Sequence, residues 1–145
     1  MTARRARRAE RASAEERRRA LAAVPLFAEL SGRQLQRLAG AAVAYRYEPG
    51  EVMVKEGAPG ETLFVLLEGS AKVTKGGRTI RRLGASDFFG EVAVMDGRPR
   101  SASVVAESPI RCVVLHRDQL KRAMDEEPLV AWKLLQVIAA RIRGD

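Results

Sequence analysis

The sequence predicts an α+β fold that is mainly β: an antiparallel eight-stranded β-roll (jelly roll) with N-terminal helices, a short helix inside it and two C-terminal helices. Two observations carry this. Between Ala44 and Leu115 the apolar residues fall into short runs separated by glycine or proline turns, whereas on either side they recur at helical spacing. Seven or eight strands this short and evenly spaced need a closed arrangement, because an open sheet would leave unpaired edges.

Composition sets the frame for these elements. A chain of 145 residues, 46% hydrophobic and 30% charged, can build one packed core and is not wholly disordered. No apolar run approaches the roughly 18 residues that cross a bilayer, and the N-terminus lacks the apolar centre of a signal peptide. Cys112 is the single cysteine and His116 the single histidine, which excludes an intrachain disulfide and a His/Cys metal cluster. A soluble cytoplasmic domain without metal or cofactor is the expectation.

The elements follow in order. Ser13-Ala14-Glu15-Glu16 has the form of a capping box and opens a helix to about Ala23, stopped by Pro25. Leu26, Phe27 and Leu30 form an apolar turn. Ser31-Gly32-Arg33-Gln34 is a second capping box, with Leu35, Leu38, Ala39 and Ala42 along one helical face. Strand-type runs then occupy about 43–47, 52–55, 62–68, 70–75, 78–83, 101–107 and 110–116, with turns at Pro49-Gly50, Pro59-Gly60, Gly69, Gly76-Gly77 and Ser108-Pro109. A helix follows from Asp118 to Met124. Pro128 opens the last one, to about Ile142, with Ala131, Leu134, Leu135, Ile138 and Ile142 on its apolar face.

The formal charge of +8 is concentrated at the N-terminus. Residues 1–20 hold Arg4, Arg5, Arg7, Arg8, Arg11, Arg17, Arg18 and Arg19 against Glu10, Glu15 and Glu16, a net of +5. We read 1–20 as a basic helical tail and 21–145 as the domain proper. Residues 4–19 could meet nucleic acid or an anionic membrane. A solvated helix with pairs such as Glu15–Arg19 accounts better for the pattern, because no aromatic residue is interleaved with the arginines.

One stretch departs from the strand pattern. After Phe88 and Phe89, which suit a core, Gly90 precedes Glu91-Val92-Ala93-Val94-Met95, a helix of about one turn. Its first N–H groups lack partners and form an anion site, and Gly90 lets a ligand approach the backbone closely. Arg100 follows nine residues after Glu91, held extended by Pro99, with Ser101 and the small Ala102 behind it. A phosphate would take the N–H groups, Arg100 and the Ser101 hydroxyl. Glu91, which only accepts, would take a sugar hydroxyl, so a nucleotide or sugar phosphate fits better than phosphate alone.

Phe89-Gly90-Glu91-Val92-Ala93 and Pro99-Arg100-Ser101-Ala102-Ser103-Val104 resemble the phosphate-binding cassette of the cyclic nucleotide-binding domain family: Phe-Gly-Glu-x-Ala, a short gap, then Arg-Ser/Thr-Ala. That family includes the cAMP-receptor-protein type of bacterial regulator, the regulatory subunits of cAMP-dependent kinase and cyclic nucleotide-gated channels. Val24-Pro25-Leu26-Phe27 with Leu30-Ser31, and the turns Pro49-Gly50-Glu51, Glu56-Gly57 and Glu68-Gly69, extend the resemblance over about residues 21–142. It implies that Glu91 binds the ribose 2′-hydroxyl and Arg100 the cyclic phosphate. Phe89, Gly90, Val92, Ala93 and Ala102 would give backbone or close contacts and Ser101 a hydroxyl. Many members that favour cGMP carry threonine where Ser101 stands, which tilts the expectation towards cAMP.

The resemblance also implies a regulatory module, with the last helix closing over bound nucleotide as a lid and passing the change to an output partner. The chain ends at Asp145, about where members place base-contacting lid residues. Arg141 and Arg143 are therefore candidates to cover the base, a solvent-facing cation being the alternative for each. Trp132 reads as packed core rather than a base-stacking cap, Cys112 as inert, and His116 as a surface or helix-capping residue. Hydrolysis of the phosphoester lacks a nucleophile–base pair or metal set, so no enzyme is expected. The competing function is a degenerate roll that docks through its arginine-rich N-terminus.

Overall fold

Alternation inside two apolar strands explains how the molecule is layered. In Leu63-Phe64-Val65-Leu66 and in Cys112-Val113-Val114-Leu115, successive side chains point to opposite faces of a sheet, and both faces are covered. Leu63, Val65, Val113 and Leu115 face a helical layer with Leu21, Phe27, Leu120 and Leu134. Phe64, Leu66 and Cys112 face the inside of the roll with Tyr47, Val73, Phe89 and Val104.

The computed structural model describes Arg8–Ala9 and residues 13–144. The strands are β1 (Arg8–Ala9), β2 (Val43–Tyr47), β3 (Val52–Val54), β4 (Thr62–Glu68), β5 (Ala71–Lys75), β6 (Arg78–Leu83), β7 (Phe88–Phe89), β8 (Ser103–Ala106) and β9 (Ile110–His116). They form a five-stranded sheet in the order β1-β2-β9-β4-β7 and a four-stranded sheet in the order β3-β8-β5-β6. Every pairing is antiparallel. The eight strands from Val43 to His116 make the expected roll. β1 and β7 are not among the expected strand runs: two residues in an Arg/Ala-rich stretch carry no strand signal, and Phe88 and Phe89 read only as core.

The helices are α1 (Ala14–Ala22), α2 (Gly32–Ala41), α3 (Glu91–Asp96), α4 (Arg117–Glu126) and α5 (Pro128–Arg143), with a 3₁₀ turn at Pro25–Phe27. Both capping boxes form, Ser13 with Glu16 and Ser31 with Gln34. His116 caps α4, its Nδ1 accepting from the Asp118 N–H at 3.2 Å. Helix α1 crosses the expected boundary between tail and domain. Leu21 is fully buried, and Arg17 Nε donates to the Ala39 carbonyl at 2.8 Å. Arg4, Arg5, Arg7 and Arg11 lie outside the described residues, so the less favoured reading, a nucleic acid or membrane contact through residues 4–19, falls largely on residues without a described structure. No helix among the described residues is long and apolar enough to cross a membrane.

Helix α5 corrects two expectations. Its buried stripe is Val130 and Leu134, with Val137 and Ile138 packed beside them, whereas Leu135 and Ile142 are exposed. Trp132 is 59% exposed and is not core. The cause is that α5 carries apolar residues around more than half of its circumference, so periodicity alone does not select the face that packs. Lys133 helps to select it. Its Nζ donates to the Pro25 carbonyl at 3.2 Å and pairs with Glu29 at 3.3 Å, which seats the start of α5 on the 3₁₀ turn.

Candidate functional site

The left-handed backbone of Gly90, at φ 93°, turns the chain sharply from β7 into α3. A Cβ at this position would lie 2.6 Å from the Thr62 carbonyl oxygen and 2.9 Å from Arg100 Nη1, so both space and dihedral require glycine. The turn places Glu91 inside the protein, 6% exposed, and Arg100 arrives from the far side of α3, 7% exposed. They are the two charged residues among the buried ones described.

Arg100 is gripped by the segment that leads into β4. Its backbone N–H donates to the Ala58 carbonyl and its carbonyl accepts from the Gly57 N–H, both at 2.8 Å. Its Nη1 donates to the Thr62 carbonyl at 3.1 Å and to the Gly90 carbonyl at 3.5 Å, and its Nη2 to Thr62 Oγ1 at 3.1 Å. The guanidinium also faces the Phe64 ring, 6.0 Å from its centroid. Burial lowers the Arg100 pKa from its ordinary value, and the charge of Glu91 works in the opposite direction.

Glu91 is half satisfied. Its Oε2 accepts from Arg141 Nη1 at 2.7 Å, while its Oε1 is buried without a hydrogen-bond partner. Arg141 also donates from Nη2 to the Phe88 carbonyl at 2.7 Å and lies over the Phe88 ring at 5.0 Å. The side chain of Arg81, on β6, makes no hydrogen bond or ion pair among the described residues and lines the same cavity. Its pKa is lowered first by burial and then by the neighbouring charge of Arg141, with Glu91 opposing. The cavity measures about 360 Å³, the size of a small-ligand site, and has Val54, Val73, Leu83 and Val104 as apolar wall.

A family description named "Cyclic nucleotide-binding domain" matches residues 45–127. The chain belongs to this family. It is 39% identical over 124 residues to a cGMP-dependent protein kinase of Toxoplasma gondii, covering 86% of this chain and 12% of the kinase. It therefore spans about an eighth of that relative's length. A crystal structure of a cyclic nucleotide-binding domain from Methylobacillus flagellatus superposes with a TM-score of 0.78 at 30% identity, covering 96% of this chain and 85% of that one. The regulatory domain of Toxoplasma gondii PKA, crystallised with cAMP, superposes with a TM-score of 0.78 at 25% identity, covering 88% and 50%.

The cyclic nucleotide-binding domain thus brings together most of the residues singled out in its sequence. Phe89, Gly90, Glu91, Val92, Ala93, Arg100, Ser101 and Ala102 all line the one cavity, and Arg141 joins them from α5. Arg141 neither covers the cavity as a free cation nor faces solvent; it is committed to Glu91 and Phe88. Arg143 is exposed and is not part of the cavity wall. Sequence reasoning missed Arg81, Ile138 and Ile142. Arg81 gave no clear signal, because the Gly76-Gly77 hairpin in simple register sets Ile80 opposite the inward-facing Val73, and it is a register shift between Val73 and Thr74 that brings Arg81 there instead.

Proposed function

We propose that this domain is a receptor for a cyclic purine mononucleotide, binding it without turnover and reporting occupancy through α5. The observation that carries the reading is the convergence of Glu91 and Arg100 on one cavity, with Glu91 Oε1 lacking a donor. A buried carboxylate oxygen without a partner is costly, and a ribose 2′-hydroxyl supplies the missing hydrogen bond. Arg100 pairs with the cyclic phosphate, aided by the Ser101 hydroxyl and the backbone around Gly90, Val92 and Ala93. Phe89 and Ala102 shape the wall, and Ile138, Ile142 and Arg141 bring α5 against the bound ligand.

The base is chosen by residues outside the cassette. Ser101 on its own points to cAMP. Arg81 supports cGMP, because a guanidinium only donates and guanine presents two acceptors, O6 and N7, on one edge, whereas adenine places an amine beside N7. We take cGMP as the preferred ligand and cAMP as the second. Closure of α5 is a population shift, so the nucleotide must bind the closed arrangement more tightly than the open one. The output is a partner protein or domain that reads the position of α5.

Titration calorimetry of nucleotide-free protein with cGMP and cAMP, beside Arg100→Ala, tests this. Saturable binding is expected, weakened in the variant by on the order of 2–5 kcal/mol. Absence of heat and of any thermal shift with both nucleotides overturns the reading. Appearance of open-chain nucleoside monophosphate on incubation overturns the claim of binding without turnover.

A further inference from the structure

The two shorter side-chain bonds of Arg100 go to Thr62, outside the cassette, and one edge of the guanidinium is left uncommitted. An arginine side chain has five N–H donors. Three are taken, two on Nη1 by the Thr62 and Gly90 carbonyls and one on Nη2 by Thr62 Oγ1. The remaining two are Nε–H and the other Nη2–H, which run parallel along one edge and match two oxygens of a phosphate. Gly60 lies against that edge. A Cβ at Gly60 would come within 2.4 Å of Nε and 2.5 Å of Nη2. The Gly60 backbone is not left-handed, so the absent side chain serves space and not backbone conformation.

We propose that Thr62 and Gly60 are positioning residues for the phosphate: the Thr62 hydroxyl and carbonyl hold Arg100 by its far end, and Gly60 keeps the Nε/Nη2 edge open. The proposal rests on the receptor reading above and adds to it two residues that precede the cassette by some thirty positions. Thr62→Val removes the hydroxyl acceptor and leaves the carbonyl and the β-branched shape in place. Gly60→Ala introduces a methyl group at the edge without backbone strain.

The test is calorimetric titration of the full chain with cGMP and cAMP. Thr62→Val weakens binding about tenfold, as expected for one lost hydrogen bond to a charged group, and Thr62→Ser restores it. Gly60→Ala weakens binding about tenfold or more while the melting temperature stays near that of the unaltered protein. In an Arg100→Ala background, Thr62→Val has no further effect, a coupling that a purely structural role of Thr62 does not produce. Unchanged affinity in Thr62→Val or Gly60→Ala overturns the inference alone, as do additive effects in the double variant. Absence of binding by the unaltered protein overturns both this inference and the receptor reading.

Discussion

Arg141, in the last turn of α5, and Glu91, the first residue of α3, form a 2.7 Å ion pair that fastens the C-terminal helix to the cassette. The pair is nearly enclosed, with side-chain exposures of 17% and 8%. It joins the wall of the cavity to the element proposed to report occupancy, so ligand contact at Glu91 and the position of α5 are mechanically linked.

Removal of that cation leaves a buried carboxylate with no hydrogen bond. Arg141→Ala is expected to cost on the order of 2 kcal/mol, less than the ~3–5 kcal/mol of a fully buried pair because Arg141 retains some access to water. Urea unfolding reads the loss directly. Arg141→Lys restores only part of it, since a single ammonium replaces the planar fork that now spans Glu91 and the Phe88 carbonyl. A stability unchanged in Arg141→Ala shows that the pair does not hold α5 in solution.

The two halves of this contact were unequally legible in the sequence. Gly90, Glu91 and Arg100 are close together in the chain, and their chemistry is carried by local geometry, so the motif exposes them. The strands were legible for a similar reason, because turns at Gly69 and Gly76-Gly77 delimit them and burial on one or both faces fixes their pattern. The partner of Arg141 is fifty residues away and belongs to tertiary packing, on a helix whose apolar residues surround it. The same ambiguity misplaced Trp132, Leu135 and Ile142. Thr62 and Gly60 were hidden because a strand threonine and a turn glycine have ordinary structural roles everywhere else.

Base selection by Arg81 is tested by Arg81→Ala. Loss of two hydrogen bonds from a charged donor to guanine is expected to weaken cGMP by about 1–3 kcal/mol, with cAMP affinity little changed. Competition titration of the two nucleotides gives the ratio. Equal losses for both assign Arg81 to general electrostatic attraction and return Ser101 to the leading role in selectivity.

Gly90→Ala tests the turn into α3. The residue must keep φ near 93°, and its Cβ would lie 2.6 Å from the Thr62 carbonyl oxygen, a backbone atom in a sheet that cannot move away cheaply. Strain and overlap together are expected to cost about 3 kcal/mol. A lower thermal midpoint together with weakened nucleotide binding is the predicted outcome, and a midpoint equal to that of the unaltered protein contradicts the described backbone.

Trp132 is the single tryptophan and thus reports on α5 without added labels. At 59% exposure its emission should be red-shifted and readily quenched by acrylamide. Trp132→Ala should change stability by no more than about 0.5 kcal/mol, as surface substitutions do. Blue-shifted, protected emission in the free protein places the indole in a packed environment and contradicts the orientation of α5.

Acid should act on the start of α1 through Glu16. In the capping box the Ser13 N–H donates to Glu16 Oε1 at 2.9 Å, and the Glu16 N–H donates to Ser13 Oγ at 3.1 Å. The carboxylate is stabilised first by the Ser13 backbone and next by its side chain, which holds the Glu16 pKa below its ordinary 4.5. Because the folded value is the lower one, the contribution is fully present above 4.5. It is lost as pH falls through the folded value, where the protonated acid surrenders its charge-assisted bond. Side-chain carbon NMR titration should therefore place the Glu16 midpoint below 4.5, with fraying of residues 13–17 following protonation. Ser13→Ala should raise the midpoint only part of the way, since the backbone donor remains. A midpoint at or above 4.5 in the folded protein shows that the box does not persist in solution.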